Sequence, residues 1–110
     1  MTDFNDREKG FETKFARDQE MEFRIIARRN KLLGVWAAGL MGLTPEETDA
    51  YAKAVVQADF EEAGDEDVIR KVLGDLTAAE ADADADAAMI RRMLDEKTIE
   101  ARRQLIESTD

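Results

Sequence analysis

Gly42-Leu43-Thr44-Pro45-Glu46-Glu47 is the stretch on which the fold turns. Gly42 stands where an apolar run with helical spacing stops, and glycine ends helices because it takes a left-handed backbone without steric cost. Two residues later the signals for a new helix follow in order. Thr44 offers a capping hydroxyl, and Pro45 suits the first helical position, where no amide partner is needed. Glu47 stands where its carboxylate reaches back to the cap amide. One helix therefore ends and another begins within a few residues.

Upstream, residues 18–41 carry a broad apolar face of Ile25, Leu32, Trp36 and Leu40 with Met21, Ile26 and Leu33. Arg24, Arg28 and Lys31 form a basic stripe on another side, and Glu20 precedes Arg24 by one helical turn. Gly34 and Gly39 do not fit a phosphate-binding loop; their spacing instead lets another helix approach closely. Trp36 reads as an anchor of the core.

Downstream, the second helix spans 45–60 and buries Tyr51, Ala52, Val55 and Val56, with Phe60 at its end. Glu61 to Gly64 connects it to a third helix over 66–76, where Asp65 supplies the cap and Glu66 and Asp67 favour the positive end of the dipole. Val68, Ile69, Val72, Leu73 and Leu76 share one face of that helix, and Gly74 weakens its last turn. The fourth helix, set at 82–106, turns Ile90, Leu94, Ala101 and Leu105 inward, flanked by Met89, Met93, Ile99 and Ile106. Its start is open between Thr77 and Ala85, because Thr77 to Glu80 also has capping-box spacing. Strand-like alternation is missing throughout. The reading is an all-α protein, a compact four-helix bundle over residues 18–110 preceded by a flexible N-terminal arm over 1–17.

Within the arm, Phe4, Phe11 and Phe15 fall at i, i+7 and i+11, on one side of a helix if the segment is helical. Gly10 interrupts it at a cost of about 1 kcal/mol relative to Ala. The arm is thus predicted to be frayed when free and to form an amphipathic helix on a partner.

Composition narrows the function. The 110 residues hold 16 Lys and Arg against 26 Asp and Glu, a net charge of −10, with no Cys and no His. Disulfides, thiolate or imidazole zinc sites, and cysteine or histidine catalysis are excluded. The acidic balance disfavours nucleic acid as a partner. Charge is also uneven: residues 1–31 hold eight bases and seven acids, whereas the remainder holds eight bases and nineteen acids. The most apolar run, Leu32 to Leu43, has 12 residues and three glycines, short of the roughly 20 that cross a bilayer. No signal peptide is read at the start, so a cytoplasmic protein is expected.

No constellation carries catalysis, and no cofactor or metal site is expected. Asp82, Asp84 and Asp86 imitate the opening of a calcium loop, but Ala87 replaces the required Gly and Met93 the closing Glu. A solvated acidic helix start is the better reading. Met89 and Met93 read as core.

Phe11-Glu12-Thr13-Lys14-Phe15-Ala16, the block Ala27-Arg28-Arg29-Asn30-Lys31-Leu32-Leu33-Gly34-Val35-Trp36-Ala37-Ala38, and Gly64-Asp65-Glu66-Asp67-Val68 together resemble the zeta subunit of alphaproteobacterial F-type ATP synthases. The long central block is the most specific part. The resemblance implies a non-enzymatic four-helix inhibitor whose N-terminal region inserts into a catalytic α/β interface of the synthase head, opposing ATP hydrolysis while permitting synthesis. The central stalk is a second candidate contact. The implied location is peripheral to the inner membrane, without insertion, and the implied free form is a monomer. Phe4, Arg7, Glu8, Phe11, Lys14, Phe15 and Arg17 are the candidate contacts of the arm, chosen by position and chemistry. The competing reading is an acidic helical interaction module that docks through its body.

Overall fold

The computed structural model describes the backbone of residues 2–61 and 64–108 and the side chains of residues 19–59 and 64–107. Four helices follow one another: α1 (Thr2–Met41), α2 (Pro45–Glu61), α3 (Glu66–Ala78) and α4 (Ala87–Ser108). The all-α four-helix arrangement expected from the sequence is the fold. α1 is its central element, packed against all three others and most extensively against α2 and α4.

The turn between α1 and α2 forms as its residues dictate. Gly42 has φ +70°, and the amides of Leu43 and Gly42 donate to the carbonyls of Ala38 (3.1 Å) and Gly39 (3.2 Å). That pair of bonds satisfies carbonyls the helix end would otherwise leave open. The Thr44 amide then donates to Glu47 Oε1 (2.9 Å) and the Glu47 amide to Thr44 Oγ1 (3.2 Å), a reciprocal capping box.

The main core joins Leu33 and Ala37 of α1, Val55 of α2, Val68, Ile69, Val72 and Leu76 of α3, and Ile90 and Leu94 of α4, with Trp36, Met41 and Tyr51 packed against it. Nearer the start of α1, Ile25 packs with Ala101 and Leu105 of α4, supported by Met21 and Leu32. The four residues assigned inward on α4 are all buried. Ile99 and Ile106, read as flanking, face solvent. Leu40 departs from expectation: it lies exposed in the last turn of α1, while Met41 beside it meets the core.

Close approach of α1 and α2 depends on Gly34. A Cβ there would stand 2.8 Å from Ala52 Cα and 3.3 Å from Val55 Cγ2, so only glycine lets the helices meet at this separation. Gly39 has open space around it and plays no such part.

Helix boundaries differ in places from those read in sequence, and α2 and α4 run on to Glu61 and Ser108. The helix read from residue 18 is continuous with helical backbone from Thr2. A single interior glycine, Gly10, costs only about 1 kcal/mol and no proline intervenes, so helix can propagate through it. α3 runs to Ala78, and its end is closed by Glu80, which takes a left-handed φ of 52° while the Ala81 amide donates to the Leu76 carbonyl (3.0 Å). The capping-box spacing of Thr77 to Glu80 therefore marks a stop, not a start. α4 begins at Ala87 and not at residue 82, because the carboxylates of Asp82 and Asp86 bind backbone amides. Asp82 Oδ1 accepts from the Asp84 amide (2.9 Å), and Asp86 Oδ1 accepts from the Met89 amide (2.8 Å) as the true N-cap. No helix among the described residues is long and apolar enough to cross a membrane.

Candidate functional site

The seven arm residues singled out by sequence, Phe4, Arg7, Glu8, Phe11, Lys14, Phe15 and Arg17, all occupy the first half of α1, and their side chains lie outside the described residues. So does the side chain of Phe60. The helical backbone gives the arm's spacing a definite meaning. At about 100° per residue, positions 4, 11 and 15 fall within roughly 40° of one another, and positions 7 and 14 share a flank of that stripe.

Helix length sets where this segment goes. The 40 residues of α1 make roughly 60 Å of helix, against roughly 26 Å for α2 and 33 Å for α4. Near the end of α4, Arg102 Nη2 meets Glu22 Oε1 at 3.4 Å, so the helical backbone of residues 2–17 continues N-terminal to that level. The longest dimension of the molecule is 65 Å, against 27 and 21 Å across.

What anchors α1 inside the bundle is a polar group that sequence reasoning counted only among the basic residues. Arg29 is 7% exposed, and its Nη2 donates to Asp65 Oδ1 at 2.9 Å, tying the middle of α1 to the first turn of α3. Arg29 Nε donates to Asn30 Oδ1 at 3.1 Å. Asp65 holds the cap position of α3 but makes no side-chain cap bond, because its carboxylate is turned to Arg29. A periodicity signal was present: residues 25, 29, 33 and 37 recur every fourth position along the core face, placing Arg29 between Ile25 and Leu33.

Asn30 is fully buried, and its Nδ2 has no hydrogen-bond partner among the described residues. It lines a cavity of about 250 Å³ with Phe23, Ile26, Ala27, Val56, Asp59 and Gly64. Adjoining it is a more open groove of about 580 Å³ between Phe23, Ala27, Val56 and Leu105, edged by the basic stripe Arg24, Arg28 and Lys31. The stripe is exposed as expected, and Arg24 Nη2 meets Glu20 Oε1 at 2.7 Å one turn earlier.

Elsewhere the ionisable groups serve structure. Tyr51 OH donates to Asp75 Oδ2 (2.8 Å), and Lys71 Nζ lies 3.1 Å from the same oxygen and 5.3 Å from the centre of the Tyr51 ring, joining α2 to α3. Partial burial, then the bond to Asp75 and that residue's charge, push the Tyr51 phenol well above its usual value.

A family model described as ATPase inhibitor subunit zeta matches residues 1–104. A solved structure titled "Solution NMR structure of the protein" is 46% identical with a TM-score of 0.69, covering 79% of this chain and 96% of that one. Comparison with curated proteins finds no match. The family match includes the arm and the bundle together.

Proposed function

The chain belongs to the ATPase inhibitor subunit zeta family, and on that premise we propose that it stops ATP hydrolysis by inserting residues 1–17 into a catalytic α/β interface of the F-type ATP synthase head. As a member of that family it is an inhibitor subunit and not an enzyme. The mechanism assigned to the arm rests on one observation: the backbone of residues 2–17 is helix, continuous with the rest of α1. A groove between two subunits accepts such a rod readily, since an amphipathic helix lays its apolar face inward.

In this reading Phe4, Phe11 and Phe15 form the buried stripe, while Arg7, Lys14 and Arg17 meet carboxylates of the head and Glu8 meets a base. Charge-assisted contacts of that kind are roughly twice as strong as neutral hydrogen bonds. Insertion needs an open interface, so inhibition develops during turnover and not on mixing with resting enzyme. The bundle, held by the Arg29–Asp65 pair and the α1–α2 contact at Gly34, keeps the arm's base in a fixed direction.

The test is steady-state ATP hydrolysis by the cognate head, titrated with the full chain and with a form lacking residues 1–17 whose helicity is checked by circular dichroism. Inhibition by the full chain alone is the expected result. Equal inhibition by both forms would move the activity into the bundle and favour docking through the body.

A further inference from the structure

The basic stripe on α1 is not used by the arm, and it borders an apolar groove. Phe23, Ala27, Val56 and Leu105 form the floor and walls, drawn from α1, α2 and α4, and Phe23 is 55% exposed. Arg24, Arg28 and Lys31 stand along one edge. Arg24 spends part of its charge on Glu20, in an exposed pair of little energetic weight. Arg28 donates to the neutral Gln104 Oε1 at 3.2 Å, and among the described residues neither Arg28 nor Lys31 meets a carboxylate. Both cations stand beside apolar surface on a chain of net charge −10. At the inner end the groove passes Phe23, Ala27 and Val56 into the cavity, lined also by Asp59, where the buried Nδ2 of Asn30 has no acceptor among the described residues.

We propose that this groove docks an acidic amphipathic helix of the synthase, as a second contact separate from the arm; the proposal rests on the function proposed above. Geometry favours a helix over a small anion. The cations at 24, 28 and 31 are strung along about 10 Å of α1, a line that suits carboxylates recurring every three to four residues, whereas a phosphate needs donors converging on one point. Apolar residues on the partner's other face cover Phe23, Ala27 and Val56, with the buried Leu105 beneath them. One neutral side chain of the partner bearing an amide oxygen, an Asn or Gln, enters the inner cavity beside Asp59 and accepts from Asn30 Nδ2. A buried donor left without a partner is costly, and docking removes that cost.

The experiment compares the full chain with the double variant Arg28→Glu/Lys31→Glu as inhibitors of ATP hydrolysis by the cognate head. Both substitutions are on exposed positions, and circular dichroism checks that the fold is kept. The expected result is a half-inhibitory concentration raised at least tenfold at low salt, with the same maximal inhibition and a smaller loss at high salt. If the unaltered chain does not inhibit, the proposed function fails and this inference with it. If it inhibits and the variant's titration superposes on it, only the groove is overturned. A photo-crosslinking amino acid at position 31 supplies an independent readout, expected to label an acidic helical segment of the synthase. Labelling of a second copy of this chain, or displacement by inorganic phosphate at matched ionic strength, would assign the groove to another occupant and overturn the proposal.

Discussion

An alanine at position 34 would bring its Cβ to 2.8 Å from Ala52 Cα, a backbone atom with nowhere to retreat, so α1 and α2 must separate to admit it. Gly34→Ala is expected to lower stability by about 1–3 kcal/mol, as overpacking does. Gly39 is the internal control. It lies in the same helix, and a methyl group added there would meet nothing within 4 Å, so Gly39→Ala is expected to add about 0.5–1 kcal/mol through helix propensity alone. Chemical denaturation of the two variants beside the parent reads both signs, and a loss at both positions would show that the helix contact extends further than Gly34. Sequence spacing had marked the two glycines as a pair. Which of them a neighbour touches depends on how α2 crosses α1, and that is a tertiary fact. Arg29 and Asn30 escaped for a related reason: a charged or amide side chain reads as solvated until its partner, here Asp65 from a distant part of the chain, is placed beside it.

At the scale of the element, the ends of helices were legible where local chemistry decides them and illegible where it is ambiguous. Thr44 and Glu47 form the capping box their spacing announced, whereas the aspartates at 82, 84 and 86 offer several equivalent caps, of which Asp86 is the one selected. The capping box predicts a pH response. The Thr44 amide, and then its hydroxyl-side bond, hold the Glu47 carboxyl below its ordinary value of 4.5. A carboxyl lowered in the folded state contributes stability that is complete above its unfolded value and is lost as pH falls through the folded one. The stability gap between the parent and Glu47→Ala is therefore expected to be present at neutral pH and to shrink in acid, as read by thermal unfolding across that range; a gap constant with pH would leave the carboxylate's charge without a part. Asp65 gives a second test. Serine at that position would restore a good helix cap but could not hold Arg29, so Asp65→Ser is expected to cost about 1–2 kcal/mol, discounted because the aspartate is half exposed. A neutral outcome would make capping, and not the ion pair, the role of the residue.

Across the whole molecule the division of charge is the feature that ties structure to activity. Residues 1–31 are nearly balanced, while nineteen acids against eight bases fill the rest, so acidic surfaces can approach the first 31 residues but are repelled by the remainder. The order and type of the helices followed from periodicity and turn residues, because each helix buries a face readable on its own. In the proposed mechanism the arm's contacts lie on another protein, which is why its seven candidates rest on position and chemistry. Its physics is nevertheless testable through screening. If Arg7, Lys14 and Arg17 act through carboxylates at the rim of the interface, their attraction is felt over a Debye length of about 30 Å at 0.01 M salt and about 3 Å at 1 M. Reversing the three charges in the full chain is then expected to weaken inhibition of ATP hydrolysis by a much larger factor at the lower salt, while Phe11→Ala, which removes apolar burial, weakens it by a similar factor at both. Salt-independent loss on charge reversal would mean that the three bases are either fully desolvated in the complex or positioned for packing by their aliphatic stems, and the rim contacts assigned to them would have to be given up.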